Sequence, residues 1–208
     1  MRLTASALVF LAPALASALS IPLDVEFDDA VSGDFASVTV TEDGGELRFE
    51  IAIGPGSDLG GEADLHEFYF NLTGSFSGLS ISSDDPQHPR GEYALASDPS
   101  VRGGAGSSFD FGVNFGNGGG PPGNGTLQTA SFTLGAAQPL SIADLFETST
   151  AAGGEVTVHF AAHFQNTSFA NGSDSETVGG VIPEPGTGAL LGLGLGILGA
   201  LPRSRGGR

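Results

Sequence analysis

Apolar and polar side chains alternate with a period of two in a series of short stretches between residues 23 and 165. In 46–53, Leu47, Phe49, Ile51 and Ile53 share one side of an extended backbone, and Glu46, Arg48 and Glu50 share the other. A strand with one face in a core and one in water has this period. Val38 and Val40 alternate with Ser37, Thr39 and Thr41, and Phe68, Phe70 and Leu72 with Glu67, Tyr69 and Asn71. Phe109, Phe111, Val113 and Phe115 alternate with Asp110, Gly112 and Asn114; Ala130, Phe132 and Leu134 alternate with Thr129, Ser131 and Thr133. Val156, Val158, Phe160, Ala162 and Phe164 alternate with Thr157, His159, Ala161, His163 and Gln165. With 23–27 and 79–82 added, the pattern predicts about eight strands.

The punctuation agrees with that pattern. Asp43-Gly44-Gly45 predicts a tight hairpin between the second and third strands. Only 141–146 reads as a helix, with Ser141 as its N-cap and Asp144 in its first turn. Many short strands without a strand–helix–strand rhythm predict an all-β fold, a two-sheet antiparallel β-sandwich.

The two ends break the alternation. Residues 1–18 have Arg2, an apolar run over 8–15, and Ala16-Ser17-Ala18, which together predict a signal peptide. Cleavage is expected after Ala18, with Ala16 the second choice. Pro13 interrupts the run, which is short for a membrane span. The body then extends over 19–170, followed by a polar linker over 171–182. Next come Pro183-Glu184-Pro185, an uncharged Gly/Leu-rich run over 186–201, and a tail over 202–208 carrying Arg203, Arg205 and Arg208.

As a helix, 186–201 is about 24 Å long at the usual rise, short of the roughly 30 Å hydrocarbon core. Such a length suits a transient transmembrane helix, in which residues 190–201 hold the chain in the bilayer. Arginines stay on the cytoplasmic side, so the body is expected outside the inner membrane. Neither Pro183 nor Pro185 can continue the helix backward, so Pro-Glu-Pro is expected as an extended, accessible tripeptide at the membrane edge. Gly188, Gly192 and Gly196 stand at four-residue spacing, which would let a partner helix approach.

These last residues resemble the PEP-CTERM sorting signal. The three elements occur in that family's order at the extreme terminus, with Pro202, Ser204, Gly206 and Gly207 interrupting the more usual unbroken basic run. The resemblance implies that an integral-membrane exosortase reads Pro183, Glu184 and Pro185, cuts near them and passes the protein to the cell surface or exopolysaccharide matrix. Within the body, 66–71, 109–116, 141–145 and 161–166 resemble extracellular domains joined to such tails, and the strand order is cohesin-like. That implies a jelly-roll or cohesin/Ig-like surface module and brings no catalytic motif.

Composition narrows the function. Fifteen Phe and no Trp make a phenylalanine core, and 34 Gly imply many turns. There is no Lys; outside the leader and tail only Arg48, Arg90 and Arg102 oppose 23 of the 24 acidic residues. Nucleic acid is excluded as a partner, since phosphate binding needs a basic footprint. No Cys means no disulfide, thiolate nucleophile or Cys-ligated zinc.

The remaining candidate chemistry is weak. His159 and His163 would lie about 13 Å apart along one strand, too far for the roughly 2.1 Å bonds of a shared zinc. They read as strand-surface residues. Gly74-Ser75-Phe76-Ser77-Gly78 has Phe where a nucleophile elbow needs Ser. The acidic groups Asp28, Asp29 and Asp34, Asp84 and Asp85, and Asp174 and Glu176 read as surface loops without the spacing of a calcium loop. The Gly-rich 116–125 has no Lys and no following helix, so it is no phosphate cradle.

The chain therefore reads as an exported, non-enzymatic envelope or matrix protein needing no cofactor or metal. Its expected partners are signal peptidase, an exosortase-like membrane enzyme, the inner membrane in transit, and exopolysaccharide. The alternative is a calcium- or carbohydrate-binding adhesion module, against which the absence of Trp and the presence of only two Tyr count.

Overall fold

The computed structural model describes residues 17–27, 31–83, 93–101, 108–116, 126–150, 157–168 and 174–183. Twelve strands occur among them: β1 (Ser17–Glu26), β2 (Ser32–Asp43), β3 (Glu46–Ile53), β4 (Asp64–Phe70), β5 (Ser80–Ser83), β6 (Ala94–Ser97), β7 (Phe111–Asn114), β8 (Thr129–Gly135), β9 (Ser149–Thr150), β10 (Thr157–Val158), β11 (Phe160–Gln165) and β12 (Ser175–Gly180). Ten form one antiparallel sheet in the order β5-β8-β3-β2-β1-β12-β11-β4-β7-β6, and β9 and β10 form a separate ribbon. The all-β expectation holds. The layers expected of a sandwich arise from a single sheet rolled onto itself, with its end strands β5 and β6 approaching each other.

Alternation explains the roll. Val40, Phe49 and Phe132 sit in register across β2, β3 and β8, while Phe160, Phe70 and Phe111 do so across β11, β4 and β7. Phe49 stacks on Phe132 at 4.9 Å between ring centroids. It also meets Phe70 at 5.6 Å, Phe68 at 5.8 Å and Phe160 at 6.4 Å. Strands β3 and β4 stand five places apart in the order, so these contacts require one face to close around a common interior. Ile21, Leu23, Val38, Val113 and Phe164 fill the same cluster.

The hairpin between β2 and β3 forms as predicted. Asp43 pairs with Glu46 across Gly44 (φ 61°) and Gly45 (φ 89°), the left-handed pair that a two-residue turn of this hand requires. The short helix is one 3₁₀ turn, Ile142–Leu145; the Asp144 carboxylate accepts the Ser141 N–H at 2.8 Å and lies 2.9 Å from its hydroxyl.

Two expectations change. The segment 171–182, read as a polar linker, contains β12, which lies inside the sheet between β1 and β11. Its Gly179-Gly180 pair answers to crowding. A Cβ on Gly180 would stand 2.2 Å from the Pro22 carbonyl oxygen, and one on Gly179 would stand 2.6 Å from the Phe27 ring. Glu176, read as a loop residue, is on β12 and 1% exposed.

The alternation also slips at two points. Asn71 Oδ1 accepts the Asp110 N–H at 2.7 Å, and a bend there sends Phe109 to the outer face while Val113 and Phe115 stay inside. A bend at His159 likewise sends Val158 outward. Phe27, Tyr69, Phe109, Val158 and Ala161 thus build a second, outer cluster, which is why Tyr69 is buried although its neighbours in sequence face inward.

Gly180→Ala should lower stability by about 1–3 kcal/mol through overpacking. Gly54→Ala should leave it nearly unchanged, because nothing lies within 4 Å of a Cβ there. Equal urea midpoints for the two variants would contradict the close approach of β1 and β12.

Candidate functional site

Of the residues expected to be read by other enzymes, two lie among the described residues. Ala18 is in β1, paired with Thr41 of β2. Pro183 is exposed at the end of the described chain. Ala16, Glu184, Pro185, the apolar run 186–201 and Arg203, Arg205 and Arg208 lie outside the described residues. Among the described residues no helix is long and apolar enough to cross a membrane.

The approach to Pro183 is fastened to the body. After β12, Val181 is 41% exposed, but Ile182 is 3% exposed and belongs to the main core. The Ile182 N–H donates to His159 Nδ1 at 3.1 Å, and the His159 N–H donates to the Gly180 carbonyl at 2.9 Å. His159 is 8% exposed, with the edge of Phe146 at 6.3 Å between centroids. The expectation of a surface histidine is therefore corrected: the bend between β10 and β11 turns His159 into a backbone acceptor. An accepting Nδ1 requires the neutral ring protonated at Nε2, and burial lowers its pKa from the ordinary 6.5.

His163 is also buried, 2% exposed. Its Nδ1 is 3.1 Å from Thr177 Oγ1 and its Nε2 is 3.4 Å from Ser175 Oγ. A nucleophile–base–orienter line needs a tighter hydroxyl contact and, in its usual form, a carboxylate behind the imidazole. Thr177 stands in that place. A register shift between His163 and Phe164 leaves His66 as the extra residue on β4. Its Nε2 lies 3.1 Å from Asp64 Oδ2, while Asp64 Oδ1 accepts the Leu127 N–H at 2.7 Å. The His66 and His163 rings meet edge to face at 6.3 Å. No group of three or more His, Asp or Glu that could hold a metal occurs among the described residues.

One polar row on the outer face opens to solvent. Glu67 of β4 pairs with His163 of β11 on one side and with Asn114 of β7 on the other. The Asn114 Nδ2 donates to Glu67 Oε1 at 3.2 Å, and the Tyr69 hydroxyl donates to Glu67 Oε2. In the next row, Gly112 and Ala96 are partners across β7 and β6 and present almost no side chain. A cleft of about 410 Å³ lies beside them, its lining including Glu67, Ala96, Pro99, Ser100 and Asn114, while Pro99 and Tyr69 cover Gly112 itself. The sequence placed Glu67, Tyr69, Gly112 and Asn114 on polar faces of two separate strands. Their meeting depends on the β4–β7 pairing, which no short-range signal announces.

No family model, no curated protein and no solved structure matches this chain.

The His159 geometry has a pH consequence. Its folded pKa is depressed, so the stability it contributes is present above 6.5 and is lost as pH falls through the lower folded value. His159→Asn, which keeps a side-chain acceptor, should flatten the fall in urea midpoint below pH 6.5. An unchanged slope would show that another group causes it.

Proposed function

We propose that this chain is an exported, non-enzymatic envelope or matrix module, delivered through an N-terminal signal peptide and sorted through a C-terminal signal of the PEP-CTERM kind. The reading rests above all on the order Pro183-Glu184-Pro185, apolar run, arginine-bearing end. In it, residues 186–201 form a transient transmembrane helix, the arginines keep the tail cytoplasmic, and an exosortase-like enzyme reads the tripeptide before release to the surface or exopolysaccharide matrix. The rolled sheet is taken as a sandwich-type surface module of jelly-roll or cohesin-like descent.

One local observation supports this arrangement. Ile182 is held in the core while Pro183 is exposed, so the body ends one residue before the tripeptide. A membrane enzyme would meet a folded domain with a short, stiff, accessible handle. In the same scheme, Ala18 lies in β1, so signal peptidase would act before that strand pairs with β2.

Intact-mass measurement of the mature protein tests the reading, in cells with and without the processing enzyme. Competent cells should yield a chain lacking its leader and Arg208, and deficient cells a chain retaining Arg208. Glu184→Ala should reduce the released form in competent cells by about tenfold, the scale of one lost charge-assisted contact. A mature chain still carrying Arg208 in competent cells would reduce the tail to an ordinary anchor.

A further inference from the structure

Building on the membrane-held tail proposed above, we infer that the face of the body around His159, with the exposed side chains of Phe146 and Val181, is a lipid-contact surface that lies on the bilayer until the tail is cut. Three large apolar side chains are exposed among the described residues: Val31, Phe146 and Val181. Scattered singly, such residues are ordinary. Two of these three share a neighbour. Phe146 is 43% exposed, caps the 3₁₀ turn, and meets the His159 ring edge to face at 6.3 Å. Val181 stands between Gly180, whose carbonyl accepts the His159 N–H, and Ile182, whose N–H donates to His159 Nδ1. One buried histidine thus ties both exposed side chains to the point where the chain leaves the core.

Tether length decides what these side chains face. Ile182 is fixed in the core, and Gly186 opens the apolar run. Four backbone steps join them, at most about 14 Å when fully extended. The headgroup layer of one leaflet takes roughly 5–8 Å of that. Less than about 10 Å remains, the spacing of two face-packed sheets, so the wall around Ile182 cannot stand clear of the bilayer. A loose linker would let the body tumble, but the burial of Ile182 and its bond to His159 remove that freedom. The apolar side chains beside the exit are therefore presented to lipid in a fixed orientation. An aromatic ring and an aliphatic branch are the kind of groups that insert at the headgroup boundary.

Charge sets the kind of lipid. Glu147, next to Phe146 in sequence, is exposed, and the body carries few cations. An anionic leaflet repels such a surface, so the contact is with zwitterionic headgroups and is made by apolar insertion. Val31 is the internal contrast. Its carbonyl accepts the Glu26 N–H at the β1–β2 connection, and β12, antiparallel to β1, runs away from that connection towards Ile182.

The chain has no Trp, so Phe146→Trp and Val31→Trp each create a lone fluorescent reporter with the same intrinsic affinity for lipid. Both variants are purified in the membrane-held form from cells lacking the processing enzyme. They are reconstituted in phosphatidylcholine vesicles with and without bromine on the acyl chains near the headgroups. Flotation of the vesicles reports whether the tail holds the chain. In floating chain, brominated lipid should quench the reporter at position 146 by about twofold or more and leave the one at position 31 bright. Adding Val181→Ser should reduce the quenching at position 146. Equal responses at the two positions in chain that floats would overturn the inference and leave the tail reading standing. Quenching at position 146 that appears only with the processing enzyme in the vesicles would indicate a protein partner and overturn it as well. Chain that does not float would refute the membrane-held tail, and the lipid-contact face with it.

Discussion

Phe49 is the contact on which the rest of the molecule depends. Its ring touches Phe132 from one neighbouring strand and Phe68, Phe70 and Phe160 from strands on the far side of the sheet. An open ten-stranded sheet would leave a whole apolar face in water, and burying a Phe side chain stabilises by about 1.5–3 kcal/mol. Rolling the sheet until its two halves share one interior removes that exposure without a second sheet or a covering helix. The chain has no Trp or Cys to strengthen a smaller core. Closure around phenylalanine is what makes the fold stable.

Closure forces crowding where the two halves join. Strands β1 and β12 come from opposite ends of the described chain and are neighbours in the sheet. Gly180 faces the β1 backbone and Gly179 faces Phe27 and Val158, so neither position has room for a Cβ. The same seam carries Ile182, bonded to His159 and buried in the core. The last described residues are thus part of the sheet's closing joint. Whatever follows Pro183 begins from a fixed point on the body.

This joint is also where sequence reading stopped short. Strands whose two faces differ in polarity, such as 46–53 and 129–135, were legible because a period of two survives in them intact. Strand β12 hides behind Ser175, Glu176 and Thr177 and ends in Gly179-Gly180, a composition that suits a linker equally well. Its status depends on what lies beside it. His159 and His163 were misread for a related reason: alternation tells which side of a strand a residue takes, and it does not tell whether that side is covered. The outer cluster of Phe27, Tyr69, Phe109 and Val158 covers part of it. Position in the register likewise brought Glu67 and Asn114 together, through a pairing of strands separated by forty residues of sequence.

The charge imbalance shapes how these joints are held. With no Lys and few Arg in the body, many carboxylates are satisfied by uncharged donors. Asp64 accepts the Leu127 N–H, Asp58 the Asp34 N–H, and Glu42 the Ile142 N–H. Asp144 accepts the Ser141 N–H, and Glu67 takes the Tyr69 hydroxyl and the Asn114 amide. Hydrogen bonds of this kind, ionised on one side only, are about twice as strong as neutral ones. Unlike a surface ion pair, they do not rest on attraction between two screened charges. An acidic chain that staples its loops in this way has many of its carboxylates held by hydrogen bonds from its own backbone and neutral side chains.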